Sequence, residues 1–443
     1  MVAASMYPGV DKIRTGMMQR RGELTLTSHE QSLLDGAGGE GARLAMSIIV
    51  RLARTTGAER LIEISSAHVD GCLYHGRASL DFVERLRTGG AQVAVPTTLN
   101  SSSLDLLHPN LYRGDKETAR SARRLMDAYV ALGCRPTWTC APYQLASRPA
   151  RGEHIGWAES NAVVFANSVL GARTNRHGDF VDICAGITGR VPYTGLHWDE
   201  NRAGDVLYRV RQLPERLLHE DVFYHVLGHL IGLDVRDGIP VIEGLPATVS
   251  EDRLKAFGAA AASSGAVSLF HAVGRTTEAP TLDAAFHGRR PGREVDITTQ
   301  QLAEARDSLT TSRSSRLAAV SLGTPHFSLQ EFAQLVSLLD DIRIQPGIDF
   351  YVSTGRDVLA EVSARGWLSV CEAAGITIVV DTCTYITPIL RATSGAVMTN
   401  SAKWAYYAPG NVGVEVIFGS MRECVESAAQ GVVWRDPELW SGL

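Results

Sequence analysis

Residues 317–331 read Leu-Ala-Ala-Val-Ser-Leu-Gly-Thr-Pro-His-Phe-Ser-Leu-Gln-Glu, and this stretch decides the fold class. Its first six residues are almost entirely apolar and have the length of a buried strand. A turn of Gly, Thr and Pro follows, and the spacing of Ser328 and Glu331 predicts a capped helix start. A buried strand that leads directly into a capped helix is typical of α/β folds with parallel sheets.

Similar apolar runs lie on both sides of this stretch. Those that follow it predict strands at residues 350–353, 376–380, 396–398 and 412–418. Near the N-terminus, apolar runs at 61–64 and 92–95 flank a helical pattern around 80–86. That order predicts a βαβ unit with parallel strands. We therefore expect an α/β protein of several βαβ subdomains with mostly parallel sheets.

Length and composition limit what the chain can be. A chain of 443 residues exceeds what one hydrophobic core usually supports, and we expect subdomains at residues 1–150, 151–310 and 311–443. With 43 basic and 48 acidic residues, the net charge of −5 gives no reason to expect nucleic acid or anionic membrane as a partner. The sequence also lacks an apolar run of about 20 residues, the length that a membrane span requires.

The cysteines indicate a compartment and a candidate site. There are 7, an odd number spread thinly, which argues against a disulfide framework and predicts a cytoplasmic protein. Cys140 and Cys383 each follow an apolar, strand-like run, and ligand chemistry gathers where parallel strands end. Cys72 lies in a third predicted loop. Thiolates from separate loops suit an iron–sulfur cluster or zinc, and packing is the alternative for each.

Packing is the better prediction for several other candidates. It is the expectation for four cysteines in helical or apolar segments: Cys134, Cys184, Cys371 and Cys424. His225 and His229 are spaced like two ligands of a zinc protease, but Val226 stands where the glutamate of that motif belongs.

His68 and Lys403 follow predicted strands at the sheet edge of the cysteines. They are candidates for proton transfer or carboxylate binding, and a solvated loop residue is the alternative for each. The sequence lacks a dinucleotide-binding Gly-x-Gly-x-x-Gly, a Walker motif and a Gly-x-Ser-x-Gly elbow. Nucleotide binding and serine hydrolysis therefore have little support.

Several stretches together resemble one protein family. They are Ser-Ala-His-Val-Asp-Gly (66–71), Thr-Thr-Leu-Asn (97–100), Thr-Cys-Ala-Pro-Tyr (139–143), Glu-Ser-Asn-Ala-Val-Val-Phe-Ala-Asn-Ser-Val-Leu-Gly-Ala-Arg-Thr-Asn-Arg (159–176), Ile-Thr-Gly-Arg-Val-Pro (187–192), Pro-His-Phe-Ser (325–328), Val-Asp-Thr-Cys (380–383) and Thr-Asn-Ser-Ala-Lys (399–403). In this order they resemble the catalytic large subunit of aconitase X, a dehydratase branch of the aconitase superfamily, from about Tyr7 to Trp434. The resemblance implies an aconitase-like fold around a central cleft. It also implies removal of water from a small hydroxy acid at an iron–sulfur cluster held by three cysteines.

The resemblance implies one of two substrates. Bacterial members dehydrate cis-3-hydroxy-L-proline to Δ1-pyrroline-2-carboxylate, and archaeal members dehydrate 5-phosphomevalonate. The archaeal-type Gly-Cys-Pro-His is Gly-Thr-Pro-His here, so Thr324 replaces a thiol, while Cys72 lies where those relatives tend to lack one. A ligand set of Cys72, Cys140 and Cys383 restores three thiols, with [2Fe-2S] favoured and [3Fe-4S] or [4Fe-4S] as alternatives. We therefore expect the hydroxyproline branch.

The same resemblance suggests roles for other residues. The groups expected to hold the substrate carboxylate are the backbone amides of Gly71, Cys72 and Leu73, the side chains of Asn100 and Ser101, and Lys403. His68 would donate a proton to the leaving hydroxyl or position the carboxylate. The small swivelling domain of the family, with its catalytic serine, is not found in this sequence, so we expect a partner subunit and a heterodimer. Two alternatives stay open: phosphomevalonate dehydration, and a non-catalytic binding subunit that has lost its cluster.

Overall fold

Strands and helices alternate along the chain. The computed structural model describes residues 23–391 and 395–440. The strands are β1 (Leu61–Glu63), β2 (Ala67–Val69), β3 (Thr97–Leu99), β4 (Gly156–Trp157), β5 (Arg190–Pro192), β6 (Val206–Arg209), β7 (Pro240–Glu243), β8 (His271–Ala272), β9 (Arg293–Asp296), β10 (Leu317–Phe327), β11 (Asp349–Thr354), β12 (Ile376–Val380), β13 (Ala396–Thr399) and β14 (Glu415–Phe418). The α-helices are α1 (Ser28–Leu34), α2 (Gly39–Thr56), α3 (Arg77–Thr88), α4 (Lys116–Ala131), α5 (Ser160–Phe165), α6 (Val181–Thr188), α7 (Glu215–Leu218), α8 (Asp221–Val235), α9 (Glu251–Ser264), α10 (Leu282–Ala285), α11 (Thr299–Ser308), α12 (Leu329–Leu338), α13 (Arg356–Ala364), α14 (Trp367–Ala374), α15 (Ala402–Val412) and α16 (Met421–Gln430).

The last five strands, β10–β14, form the third unit of the protein. They make one parallel sheet in the order β12-β11-β10-β13-β14. Every residue of β10 is buried, as expected for the central strand of a parallel sheet. The strand continues through the predicted exit turn to Phe327. Gly323 within it has φ of 87°, and a Cβ there would lie 2.1 Å from the Ser353 carbonyl oxygen, so the position requires glycine.

The first unit, β1–β5, contains the predicted βαβ motif with different strands. β2 and β3 pair in parallel, and α3 connects them. The predicted strand at 61–64 is instead β1, which pairs antiparallel with β5, and residues 92–95 form no strand. His68 therefore lies inside a strand rather than in a loop after one. Strands of three residues that are nearly buried throughout carry no alternating pattern, and the longer apolar runs beside them gave the stronger signal.

The middle unit, β6–β9, is a parallel sheet in the order β8-β7-β6-β9. Helices α8 and α9 pack closely beside it. A Cβ at Gly228 of α8 would lie 2.3 Å from the Phe257 carbonyl oxygen of α9, so glycine permits this approach. The fold is α/β with mostly parallel sheets, as predicted.

The predicted subdomain boundaries, 1–150, 151–310 and 311–443, stay a prediction. The pairing of β1 with β5 joins residues 190–192 to the first unit, which favours a first boundary beyond them. Within the described part of the chain, none of the helices is both long and apolar enough to cross a membrane.

Candidate active site and metal centre

Cys140 and Cys383 lie side by side in the structure, together with His326. Their sulfur atoms and a ring nitrogen of His326 are all within 4.8 Å of one another, and all three residues are buried. We call these residues the Cys–His–Cys group. Cys383 follows β12, and His326 lies near the end of β10. The run before Cys140 is not a strand; a hydrogen bond from Thr139 N to Leu99 O (3.1 Å) joins it to β3.

The surroundings of Cys140 favour a thiolate. Its Sγ accepts a hydrogen bond from the backbone amide of His326 at 3.3 Å. Burial opposes ionisation, but the hydrogen bond with Cys383 and the nearby His326 and Lys403 outweigh it and lower the pKa of Cys140. The same hydrogen bond, followed by burial, raises the pKa of Cys383. A thiolate beside a thiol is a donor set for a soft metal.

Both ring nitrogens of His326 already have partners. Nδ1 is 3.0 Å from Thr139 Oγ1, and Nε2 is 3.2 Å from the carbonyl oxygen of Thr382 and 3.4 Å from Ser101 Oγ. A carbonyl oxygen only accepts, so Nε2 carries a proton and donates to Thr382. His326 is thereby fixed against the two thiols. His326 was not among the predicted site residues, although Pro-His-Phe-Ser is among the family stretches.

Asp381 holds the end of β12 in place. It has φ of 62°, and its carboxylate accepts two hydrogen bonds from Arg356, at 2.6 and 2.7 Å. Its backbone carbonyl accepts from Ser102 N at 2.7 Å, and its carboxylate accepts from Leu106 N at 3.1 Å. These contacts join the third unit to the loop after β3, and they place Cys383 two residues further on.

Lys403 also lies in this buried region, at the start of α15. Its Nζ is 2.5 Å from Glu159 Oε1, and both side chains are almost fully buried. Burial raises the pKa of Glu159, but the ion pair with Lys403 outweighs it and lowers that pKa overall. Sequence reasoning missed Glu159, although it opens the quoted stretch 159–176 immediately before an apolar helix.

His68 is fully buried in β2. Its Nδ1 lies 2.8 Å from Thr98 Oγ1, while its Nε2 has no hydrogen-bond partner among the described residues. Burial lowers the pKa of His68 to about 4, so the ring is neutral near pH 7. A neutral imidazole can still position a ligand. The predicted proton-donor role of His68 stays a prediction.

The loop after β2 uses much of its hydrogen-bonding capacity internally. The amide of Gly71 lies 3.4 Å from Asp182 Oδ2, and the amide of Cys72 donates to the Asp70 carbonyl oxygen at 2.6 Å. Leu73 is half-buried beside them. The predicted role of these three amides in carboxylate binding therefore requires this loop to rearrange, and it stays a prediction.

Asn100 and Ser101 lie at the end of β3, as their predicted role requires. Asn100 donates through its Nδ2 to the Asp70 carboxylate, and its Oδ1 has no partner among the described residues. Ser101 Oγ lies 3.9 Å from Cys383 Sγ. Ser101 is thus close enough to the Cys–His–Cys group to bind a ligand placed there, and Asn100 precedes it in the chain.

Cys72 lies outside the Cys–His–Cys group. Its thiol donates to the Val69 carbonyl oxygen at 3.3 Å, and burial, followed by Asp182 and Asp70, raises its pKa well above the usual value. The Val69 carbonyl also accepts from Asn100 N at 2.9 Å, so Cys72 adjoins the strand end that carries Ser101. Its role as a ligand stays a prediction.

The candidates expected to serve packing are buried. Four cysteines lie in hydrophobic clusters, as predicted: Cys134, Cys184, Cys371 and Cys424. His225 Nδ1 accepts from the amide of Ala402 at 3.4 Å, and His229 Nε2 lies 3.0 Å from Ser308 Oγ. Across residues 23–391 and 395–440, neither histidine belongs to a group that could hold a metal.

The residues present fit an iron–sulfur cluster. The Cys–His–Cys group provides adjacent sulfur donors in a buried setting. Buried polar atoms on the neighbouring strand ends lack hydrogen-bond partners among the described residues: Asn100 Oδ1, Ser102 Oγ and Thr324 Oγ1. Buried polar atoms are normally satisfied, so such a set indicates a place where a further group binds.

Comparisons with known families cover almost all of the described chain. The aconitase X first domain matches residues 23–200, the aconitase X second domain matches 204–307, and the aconitase X third domain matches 317–430.

Individual relatives agree with this assignment. The chain is 45% identical over 92% of its length to the cis-3-hydroxy-L-proline dehydratase of Pseudomonas aeruginosa, covering 70% of that protein. It is 41% identical over 92% of its length to the Hypocrea jecorina protein of the same name, covering 69%. It is 37% identical over 90% of its length to the phosphomevalonate dehydratase large subunit of Methanothermobacter thermautotrophicus, covering 97%. The crystal structure of Thermococcus kodakaraensis aconitase X in its holo form matches with a TM-score of 0.82 and 31% identity, over 91% of this chain and 100% of that one.

Proposed function

The chain belongs to the aconitase X family of dehydratases, and we propose that it removes water from cis-3-hydroxy-L-proline to give Δ1-pyrroline-2-carboxylate. One observation carries the choice of substrate: relatives of that name are 45% and 41% identical to this chain, against 37% for the phosphomevalonate enzyme. Thr324 in place of a thiol supports the same branch.

We propose that Cys140, Cys383 and Cys72 hold an iron–sulfur cluster of the [2Fe-2S] type. When bound, the cluster supplies an open iron position that polarises the leaving hydroxyl as a Lewis acid. Cys72 is preferred to His326 as the third ligand because both ring nitrogens of His326 are already hydrogen-bonded, and thiolates are the usual ligands of such clusters.

The chain's own residues orient the substrate for an anti elimination. In cis-3-hydroxy-L-proline the hydroxyl and the carboxylate share one ring face, so the α-hydrogen lies on the other. Lys403 binds the carboxylate, and Asn100 and Ser101 donate to the negative charge that develops on it as the proton leaves. Neutral His68 positions the substrate from β2. Burial of these groups excludes water and strengthens each of the interactions.

We propose that the base that removes the α-proton belongs to a small partner subunit. The archaeal relatives are named large subunits, which supports a two-subunit enzyme. We also propose a reducing compartment, the cytoplasm, because all seven cysteines are free and buried.

Phosphomevalonate dehydration is the second candidate function. It is favoured by the archaeal relatives: the chain is 37% identical to the Methanothermobacter thermautotrophicus large subunit of that enzyme and 35% identical to that of Methanocaldococcus jannaschii. It would need cationic groups for the substrate phosphate. Lys403, the cation described beside the Cys–His–Cys group, is already assigned to the substrate carboxylate.

A direct activity assay tests which of the two substrates the protein dehydrates. The full chain is purified anaerobically from its native host with any subunit that copurifies, and each substrate is supplied separately. We expect Δ1-pyrroline-2-carboxylate to form from cis-3-hydroxy-L-proline. Turnover of 5-phosphomevalonate alone would establish the second candidate. Protein without iron, sulfide or turnover would be the non-catalytic binding subunit.

A further inference from the structure

Glu159 is a buried carboxylate to which the proposed dehydration gives no role. It is the N-cap residue of α5, and 3% of its surface is exposed. One carboxylate oxygen contacts Lys403 Nζ at 2.5 Å. The other accepts hydrogen bonds from the Ala162 amide at 2.7 Å and from the side chain of Asn161. Both oxygens are therefore held, one by the lysine and one by the helix start.

The start of α5 also contacts the loop that carries Cys140. Asn161 Nδ2 donates to the Cys140 carbonyl oxygen at 2.9 Å, and Asn161 Oδ1 accepts from the Tyr143 hydroxyl at 2.6 Å. Glu159 and Asn161 thus join the ammonium of Lys403 to the backbone of Cys140. This connection fixes the distance between the lysine head group and the Cys–His–Cys group.

We propose that Glu159 is a positioning residue that holds Lys403 as the anchor for the substrate carboxylate. An ammonium group has three N–H donors, and among the described residues the Lys403 Nζ uses them on Glu159 alone. Donors therefore remain for a ligand carboxylate. The lysine stem is flexible, but the Glu159 carboxylate is held by the Ala162 amide and the Asn161 side chain and cannot follow a displaced head group. This inference rests on the proposed function, because it takes Lys403 to be the carboxylate anchor.

Glu159→Gln tests the inference, because it keeps the shape of the side chain and removes its charge. The probe is pyrrole-2-carboxylate, a planar ring carboxylate, and its Kd is measured by calorimetry on the full chain with any copurifying subunit. We expect the Kd to rise about tenfold to a hundredfold and KM to rise with it, while iron content and the visible spectrum are unchanged. Glu159→Asp, which retains the charge, should recover part of the binding.

Glu331→Gln is a matched control. Glu331 forms another buried Lys–Glu pair, with Lys255, and also accepts from a backbone amide at a helix start, but it lines a separate cavity of about 590 Å³. The control variant should bind the probe within about twofold of the parent. In addition, Glu159→Gln should have no further effect in a Lys403→Met background, since its effect acts through Lys403.

The results of these experiments distinguish failure of the positioning role of Glu159 from failure of the proposed dehydratase function. Unchanged or tighter probe binding by Glu159→Gln would overturn the inference, and so would an undiminished effect in the Lys403→Met background. Should Glu159→Gln fail to fold, Glu159→Asp decides: a normal cluster spectrum with weakened binding supports the positioning role, and unweakened binding contradicts it. Wild-type protein that binds the probe but does not dehydrate cis-3-hydroxy-L-proline would refute the proposed function alone.

Discussion

The surroundings of Cys140 and Cys383 differ from those of a thiol that serves only packing. The sulfur atoms of Cys140 and Cys383 lie within 4.8 Å of each other and of a His326 ring nitrogen, whereas Cys371 lies within the apolar cluster of the third unit. Replacing Cys140 or Cys383 by Ala should abolish visible cluster absorbance and activity, because each removes a sulfur donor that no neighbour replaces. Cys371→Ala should keep both. Full turnover by either of the first two variants would contradict the metal centre proposed here.

Substitutions of Cys72 and Thr324 together test which residue is the third ligand of the cluster. Cys72→Ser should lower the iron content and shift the visible spectrum, since a serine oxygen is a poorer ligand for iron–sulfur clusters. Thr324 lies in β10 beside the Cys–His–Cys group, and its hydroxyl has no hydrogen-bond partner among the described residues. Adding Thr324→Cys to Cys72→Ser should therefore restore a third thiol and part of the iron.

Cys134→Ser is the control, because Cys134 is a buried thiol near Cys72 that is not proposed as a ligand. An unchanged iron content in Cys72→Ser would move the third ligand to another residue.

The turn at the end of β12 supports Cys383 through one ion pair. Asp381 is fully buried, and Arg356 is about one-third exposed. Asp381→Asn retains a residue that tolerates positive φ but removes the charge. We expect the free energy of unfolding to fall by about 1–3 kcal/mol, measured by urea denaturation, together with a lower iron content. Arg356→Lys should show a smaller loss, because one donor to the carboxylate remains. An unchanged urea midpoint for Asp381→Asn would show that the ion pair does not support this turn.

Elements with long apolar runs could be predicted from the sequence, and shorter ones could not. The strands of the third unit are nearly continuous in apolar residues, so their positions followed directly. The first unit has strands of two or three residues, one of which contains His68, and their assignment depends on pairing partners distant in sequence.

Some residues of the candidate site could likewise be predicted from the sequence, and others could not. Cys140, Cys383 and Lys403 were found because they follow apolar runs. Glu159 was missed because a carboxylate at a helix N-cap is an ordinary local feature, and its ion pair with Lys403 joins residues 244 positions apart.

Buried ionisable groups spread through the whole molecule make its stability depend on pH. Burial is the main cause that lowers the pKa of seven histidines: it lowers the pKa of His68, His177 and His229 to about 4, of His225 to about 3 and of His197 to about 2, and it also lowers those of His154 and His271. The unfolded chain binds protons at these residues near pH 6.5, so they reduce stability as pH falls below that value. Three carboxyls act in the opposite direction, because burial raises the pKa of Asp70 to about 8 and those of Asp182 and Glu331 to about 7. The pH dependence of the unfolding free energy combines both sets of residues. A comparison of the parent protein with a single-residue variant is therefore the sharper test.

His229→Gln isolates one of these histidines. His229 is neutral in the folded protein, and its contact with Ser308 can be kept by an amide. Between pH 7.5 and 5.5 an unfolded histidine of pKa about 6.5 takes up most of a proton that the folded residue does not, which corresponds to about 1.4 kcal/mol. The parent should therefore lose about 1.4 kcal/mol more unfolding free energy than His229→Gln over this interval, measured by urea denaturation at both pH values. Equal losses in the two proteins would show that His229 is protonated in the folded state and that its burial does not hold it neutral.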